Sequence, residues 1–163
     1  MIYRTDEREA FMREALREAA LAFEEGNLPI GAVIVDDGEI VSRGRNYGVT
    51  GHFLQHAEME AISRLPAAFQ DRSQAAIFTT VEPCYLCFGA ILVARIGHVF
   101  FAARDVHFGC NQILGAGRYE RSRILTFEGG VLEGEAFDLL YRHSESHCRL
   151  LFGDQFESFL EQR

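Results

Sequence analysis

The pattern of apolar and polar positions predicts a helix followed by a hairpin at the start of the chain. From Thr5 or Asp6 to about Glu25 the sequence is rich in Ala, Glu, Arg and Leu, contains no Gly or Pro, and is followed by Gly26, as is typical of a helix. Two apolar runs then flank Asp36-Asp37-Gly38, a turn sequence that favours a β-hairpin. We therefore predict two paired strands, at 30–35 and 39–43.

Helices and strands alternate through the rest of the chain. Pro66 follows one helical pattern and Pro83 begins another, whereas shorter apolar runs indicate strands. The predicted strands are 75–80, 98–102 and one near 123–127, and the predicted helices are 56–64, 83–94, one from about 133, and an amphipathic one over 149–163. This alternation is typical of a three-layer α/β or α+β sandwich.

Length and composition indicate one globular domain that spans residues 1–163. The chain is 48% hydrophobic, enough for a single substantial core, and its N-terminus has no apolar stretch behind the charged residues. We therefore expect no signal peptide, no membrane span and a cytoplasmic protein. Of four cysteines, two are spaced C-x-x-C, which fits metal ligation in a reducing compartment, and Cys110 and Cys148 are expected to be plain thiols.

Two short clusters, His56-Ala57-Glu58 and Pro83-Cys84-Tyr85-Leu86-Cys87, predict a catalytic zinc site. One imidazole and two thiolates are a natural ligand set for Zn²⁺, and three protein ligands leave the fourth tetrahedral position for water. The two thiols lie in the first turn of a predicted helix, where backbone amides favour thiolates. Glu58 is then available to move protons between the water, the substrate ring and a departing amine.

Other interpretations of these clusters remain open from the residues alone. A lone C-x-x-C is more often incidental or redox-active, and a lone H-x-E carries little meaning, but their joint occurrence at two predicted helix starts favours zinc. A purely structural zinc would take a fourth protein ligand. The candidates for that ligand have no short spacing to the clusters and are Cys110, His52, His98 and His107.

The H-x-E and P-C-x-x-C clusters resemble the signature of the cytidine-deaminase-like zinc-dependent deaminases. The resemblance covers roughly residues 6–140 and includes 28–35 (LPIGAVIV), 44–46 (GRN), 79–84 (TTVEPC) and 88–91 (FGAI). The branch it resembles holds cytosine deaminases, guanine deaminases and bacterial tRNA adenosine deaminases. It implies an α/β/α three-layer sandwich with a central mixed five-stranded sheet whose fourth and fifth strands run parallel, one zinc ion per subunit, and a homodimer.

The resemblance also implies a role for each site residue. His56, Cys84 and Cys87 match the zinc ligands, and Glu58 matches the proton shuttle. Contacts to the substrate base are implied for the Asn46 side chain, the Ala57 backbone N–H, the Glu82 carbonyl and the Phe108 ring. Two of these residues have an alternative role. Asn46 could instead cap the turn before His56, and Phe108 could instead belong to the core.

The signals for the substrate conflict. Ala103-Arg104-Asp105 resembles a run favoured by tRNA deaminases, whereas Phe108 falls where fungal-type cytosine deaminases place an aromatic ring against the base. The net charge is −8, the loop 47–55 contains no Lys or Arg, and 153–163 has three acids against one base. These charges disfavour a polyanion such as RNA. A local basic cluster, Arg118, Arg121 and Arg123, is more typical of a solvated turn.

We therefore predict hydrolytic deamination of a free nucleobase or nucleoside, cytosine-like or guanine-like, with nucleic acid disfavoured as a partner. One alternative is wobble-adenosine deamination on tRNA, which shares every catalytic residue. Another is a non-catalytic zinc-fold binding protein, which the presence of Glu58 and Asn46 argues against. Tyr85 is a candidate for the pocket mouth or a dimer interface, and the candidates for a C-terminal lid are Phe152, Asp154 and Phe156.

Overall fold

A five-stranded mixed sheet forms the centre of the computed structural model, which describes residues 2–66, 72–114 and 122–161. The strands are β1 (Gly31–Asp36), β2 (Glu39–Arg45), β3 (Ala76–Val81), β4 (His98–Ala103) and β5 (Thr126–Glu128). Their order across the sheet is β2-β1-β3-β4-β5. β1 pairs antiparallel with β2 and β3, whereas β3, β4 and β5 are parallel. The mixed sheet and its parallel last strands are confirmed.

Helices cover both faces of this sheet. They are α1 (Thr5–Glu24), α2 (Ala57–Ser63), α3 (Tyr85–Ala94), α4 (Glu133–His143), α5 (Glu145–Phe152) and α6 (Phe156–Glu161), with 3-10 turns at Cys110–Gln112 and Gly153–Gln155. Alternate residues of each strand face opposite layers. Val33 and Phe78 pack with α1 and α4, whereas Ile34 and Ile77 pack with α2 and α3. The predicted three-layer α/β/α sandwich is confirmed.

The predicted hairpin and first helix form as expected because their signals are local. Asp37 and Gly38 both have positive φ, as the tight turn between β1 and β2 requires. Asp36 and Glu39 pair across that turn. These elements therefore need little from the rest of the chain to define them.

The approach of α2 to the sheet sets where the first metal ligand lies. A Cβ on Gly44 of β2 would be 2.2 Å from the Ala57 carbonyl oxygen and 2.4 Å from the Ala61 nitrogen, so this position has room only for glycine. The Ser42 hydroxyl donates a hydrogen bond to the Ala61 carbonyl at 2.6 Å. β2 thereby fixes the helix whose N-cap residue is His56.

The C-terminal region differs from its prediction. A single helix over 149–163 was expected, but α5 begins earlier, at Glu145. The helix ends before Gly153, which has a positive φ of 53°. The break places Phe152 and Phe156 in the core against the Phe137 ring, so neither belongs to a lid. Some apolar residues of this segment pack in the core and others line a neighbouring pocket. The helical periodicity of the sequence does not distinguish these two groups.

Two further expectations concern the region after β4. β5 begins at Thr126, three residues later than predicted, because its pairing with β4 starts opposite His98. Residues 118–121 of the basic cluster lie outside the described residues.

Across residues 2–66, 72–114 and 122–161, the helices are too short or too polar to span a lipid bilayer.

Candidate active site

Three predicted ligands meet where two helices begin. His56 is the N-cap residue of α2, Cys84 is the N-cap residue of α3, and Cys87 lies in the first turn of α3. Their ligand atoms all lie within 4.8 Å of one another. The His56 Nδ1 is 3.5 Å from the Cys84 sulfur and 3.4 Å from the Cys87 sulfur. One nitrogen and two sulfurs at this spacing suit Zn²⁺.

Within the described part of the chain, this set has three members and no fourth protein ligand. The residues considered for a fourth position, Cys110, His52, His98 and His107, do not join it. A structural zinc would normally be enclosed by four protein ligands, whereas a catalytic zinc keeps one position open. The arrangement therefore favours the catalytic type of site.

The two thiols differ in how readily they ionise. A hydrogen bond from the Cys87 thiol, with a further contribution from His56, lowers the pKa of Cys84 to about 4. The pKa of Cys87 is raised, because it donates to the Cys84 sulfur and because it is buried. The arrangement thus favours the thiolate form of Cys84 over that of Cys87, and both thiols are deprotonated when they bind a metal.

The His56 ring is oriented by a backbone group on its other side. Hydrogen bonding to Cys84 raises the pKa of His56, and a hydrogen bond to the Phe53 carbonyl acts in the same direction. With Nδ1 facing the two sulfurs, the carbonyl holds the second ring nitrogen. Metal-binding histidines are commonly oriented in this way, which fixes the tautomer that leaves the ligating nitrogen unprotonated.

Glu58 lies beside the ligand set and is almost completely buried, at 4% exposure. The Cys87 sulfur lies 3.5 Å from the Glu58 Oε2. Burial raises the pKa of Glu58, so the carboxyl group holds a proton more readily than an exposed glutamate does. A buried carboxyl group with a raised pKa is suited to accept and return protons near neutral pH.

A pocket with a volume of about 420 Å³ opens next to these residues. Asn46, Glu82 and Phe108 line it, so the structure brings three of the four predicted substrate contacts to one cavity. The fourth, Ala57, is fully buried at the first position of α2, next to His56. The remaining lining residues are Leu28, Ile30, His56, Glu58, Val81, Cys84, Asp105, Leu140, His147, Leu150 and Leu151.

Eight residues of this wall were not predicted as site residues, and four of the eight come from α4 and α5. Those four are Leu140, His147, Leu150 and Leu151. The amphipathic pattern of this region was recognised, but the pattern does not show that its apolar face is divided between the core and the pocket. The Val106 N–H donates to the Leu151 carbonyl at 3.2 Å, which ties α5 to the loop after β4.

Asn46 is buried, and its side chain caps the turn that precedes His56, which was the alternative to a substrate contact. Its Oδ1 accepts a hydrogen bond from the Gly48 N–H at 2.8 Å, which stabilises the turn after β2. Its backbone N–H donates to the Ile30 carbonyl at 3.0 Å. The side chain is therefore held firmly at the pocket wall.

Glu82 has a side-chain role that the sequence did not predict. Its carboxylate is 2% exposed and accepts hydrogen bonds from the Asn111 N–H at 2.7 Å and the Asp105 N–H at 3.4 Å. A Cβ on Gly109 would lie 2.5 Å from the Glu82 carboxyl carbon and 2.3 Å from the Asp105 carbonyl oxygen. The carboxylate thus anchors the loop 105–111 beside Cys84, in addition to any contact made by the Glu82 carbonyl.

Two exposed aromatic residues near the site were left with open roles. Phe108 is 61% exposed, which excludes the core interpretation, and it lines the pocket. Tyr85 is 42% exposed at the start of α3 and is not among the residues that line the pocket. Of the two, Phe108 is the ring positioned to meet a substrate.

Known proteins share this fold, and a family model matches the region that contains the three ligands. The model of the cytidine and deoxycytidylate deaminase zinc-binding region matches residues 5–103. The tRNA-specific adenosine deaminase of Streptococcus pyogenes serotype M18 is 42% identical over 112 residues, which are 67% of this chain and 70% of that protein.

Two solved structures resemble most of the chain. A tRNA:A34 deaminase, from a study of A-to-I editing at the wobble position of transfer RNA, aligns with a TM-score of 0.67 at 30% identity. The alignment covers 80% of this chain and 99% of that one. The guanine deaminase of Nitrosomonas europaea aligns with a TM-score of 0.71 at 25% identity, over 83% of each chain.

The fold and the three-ligand site define a zinc-dependent hydrolytic deaminase, an enzyme that breaks a carbon–nitrogen bond. More particularly, the chain belongs to the cytidine and deoxycytidylate deaminase family, whose zinc-binding region it contains. The expected superfamily, enzyme class and zinc cofactor are confirmed.

The predicted substrate class and partner are wrong. A free nucleobase or nucleoside was favoured and nucleic acid disfavoured, yet the relatives at 42% and 30% identity are tRNA deaminases, and the guanine deaminase is more distant. The charge argument failed because net charge is a sum over the whole chain.

Proposed function

We propose that this protein deaminates adenosine to inosine in the anticodon loop of a transfer RNA. The observation that carries the proposal is the 42% identity to a tRNA-specific adenosine deaminase over 70% of that protein. The structural similarity to a tRNA:A34 deaminase, over 99% of its chain, supports it further. The presence of His56, Cys84, Cys87 and Glu58 around one pocket is compatible with this chemistry.

His56, Cys84 and Cys87 would hold the zinc ion, which supplies a Lewis acid and a water molecule of lowered pKa. Glu58 accepts the proton of the attacking water at a carboxylate oxygen. Its burial and raised pKa allow it to pass that proton to the ring nitrogen, and then to take the second proton, from the newly added hydroxyl group, and pass it to the leaving amine. Overall, one carbon–oxygen bond forms, one carbon–nitrogen bond breaks, and ammonia leaves.

The adenine base would be held by groups on the same wall. Asn46 is buried and fixed by its own turn, so its amide can orient the base without first being ordered. The Ala57 N–H and the Glu82 carbonyl would contact the exocyclic and ring groups of the base. The apolar residues Leu28 and Val81 exclude water from the remainder of the pocket.

The test is inosine formation by the zinc-loaded protein. The substrates are a full-length tRNA and an anticodon stem-loop with adenosine at the wobble position, with free adenosine, cytosine and guanine as comparisons. We expect inosine in both RNAs, detected by mass spectrometry after nuclease digestion, and a rate lowered by roughly 10²- to 10⁴-fold with the Glu58→Ala variant. Absence of inosine from both RNAs, or turnover confined to a free base, would overturn the proposal.

The proposal includes a single catalytic domain that acts as a homodimer in the cytoplasm. The dimer is supported by the family resemblance, and the reducing location by four free cysteines that include the pair at the metal site. Light scattering of the purified protein tests the dimer, and a monomer that is fully active would contradict it.

A further inference from the structure

Phe108 lies at the boundary between the pocket and the outer surface. It lines the cavity, and yet 61% of the residue is exposed. On α5, Leu150 also lines the cavity and is 47% exposed. The mouth of the pocket therefore has apolar surface from two different segments of the chain.

The loop that carries Phe108 is held by two carboxylates. The Asp105 Oδ1 accepts hydrogen bonds from the His107 and Phe108 N–H groups, both at 2.9 Å. The Glu82 carboxylate accepts from the Asp105 N–H, and from the Asn111 N–H beyond the aromatic residue. Because the backbone on both sides of Phe108 is fixed, the ring is presented with little ordering cost to a ligand.

The described residues that line the pocket include no arginine or lysine. The acids that line it, Glu58, Glu82 and Asp105, are buried. The lining therefore offers no permanent positive charge to a phosphate, whereas an aromatic ring and aliphatic side chains match the face of a base. A deaminase that removes a base from its stack also leaves the neighbouring bases with exposed faces.

We propose that Phe108 stacks on a base adjacent to the target adenosine and so selects single-stranded RNA over a free nucleoside. The inference rests on the proposed function and extends it from the target base to its neighbour. Phe108 is then a binding residue outside the chemistry, and Asp105 and Glu82 are positioning residues that act through it.

The experiment pairs protein variants with RNA variants. The proteins are wild type, Phe108→Ala, Phe108→Tyr, and the control Phe23→Leu, which alters a partly exposed ring on α1. The RNAs are an anticodon stem-loop and two derivatives with an abasic nucleotide on the 5′ or the 3′ side of the target. The quantity measured is kcat/KM for inosine formation, with zinc content and oligomeric state determined for each protein.

We expect Phe108→Ala to lower kcat/KM on the intact RNA by roughly tenfold, as loss of one stacked base does elsewhere. Phe108→Tyr should lose less than Phe108→Ala because its ring still stacks, and the control Phe23→Leu should retain the wild-type value. One abasic RNA should impair wild type by a similar factor and cause no further loss in Phe108→Ala. The ratio of wild type to Phe108→Ala should also stay constant as salt is raised, because stacking involves no counterion release.

Three results would overturn the proposal even if the Phe108→Ala protein is impaired. In the first, the abasic RNAs lower kcat/KM equally in wild type and Phe108→Ala. In the second, the lower kcat/KM of Phe108→Ala is explained by a lower zinc content. In the third, Phe108→Ala has a changed oligomeric state, which would assign the ring to a subunit contact. Failure of the proposed function itself is distinguishable, since wild type would then form no inosine in any RNA. Normal deamination with unaffected Phe108→Ala kinetics would refute only the stacking.

Discussion

The two halves of the pocket wall differ in origin and in character. The inner half, from Leu28 to Cys84, lies within the residues 5–103 that the family model matches, and it includes Glu58 and two of the three metal ligands, His56 and Cys84. The outer half, from Asp105 to Leu151, lies beyond that match. Inner polar groups such as Glu58 and Asn46 are buried, whereas outer residues such as Phe108 remain exposed.

This difference corresponds to two tasks: the inner half holds the groups that move protons, and the outer half offers accessible surface to a large substrate. Groups that move protons benefit from burial, which shifts their pKa values and removes competing water. Groups that recognise a large substrate must remain accessible to it. Relatives that share the inner half include both tRNA and guanine deaminases, so the inner half does not by itself decide the substrate. The following predictions test how sharply the two halves are divided, beginning with the largest effect.

Cys87→Ala should abolish zinc binding and all activity and lower the thermal stability, because two ligands cannot hold the ion and its binding energy is lost to the fold. Metal analysis and a thermal melt measure this. Cys148→Ala is the matched control, since Cys148 is an equally buried thiol packed against α4. Full zinc content in Cys87→Ala would contradict the assigned ligand set.

Glu58→Ala should retain zinc and lose roughly 10²- to 10⁴-fold in kcat, because general acid and base catalysis is removed. Glu60→Ala, in the same helix and paired with Arg64, is the control and should remain active. Turnover and zinc content are measured on the same preparations. Substantial turnover in Glu58→Ala would refute the proton-shuttle role.

Glu82→Gln tests the connection between the halves. It keeps one acceptor for the loop 105–111 but turns an N–H group toward a backbone donor, so we expect about a tenfold loss in kcat/KM on RNA at full zinc content. Because the loop would be displaced and the zinc site would not, KM should change more than kcat. A tenfold fall in kcat with an unchanged KM would instead indicate that Glu82 takes part in the catalytic step.

Leu150→Ala should have the smallest effect, a loss of roughly threefold to tenfold in kcat/KM on RNA, because it removes partly exposed apolar surface. Zinc content and thermal stability should not change. Arg149→Ala is the neighbouring control, since its ion pairs with Glu145 and Glu157 are exposed and of little energetic weight. Equal losses of kcat/KM in the two variants would show that Leu150 has no specific role at the mouth of the pocket.

The sequence predicted the elements whose signals are local. The hairpin turn, α1 and the starts of α2 and α3 all formed within a residue or two of their predicted bounds. The C-terminal helix was mispredicted because its break at Gly153 is enforced by packing: Phe152 and Phe156 enter the core on either side of it. The Glu82 anchor was missed because its partner Asn111 is 29 residues away along the chain.

The sequence by itself determined the metal chemistry of this protein. A histidine and a C-x-x-C pair indicate zinc through the softness of their ligand atoms, which depends on residue type and not on where the side chains lie. Only the tertiary structure decided the outer wall, because which face of α5 meets the pocket depends on how the core packs around Phe137. Net charge, a sum over all residues, contains no information about that wall, and for this reason it misdirected the prediction of the substrate.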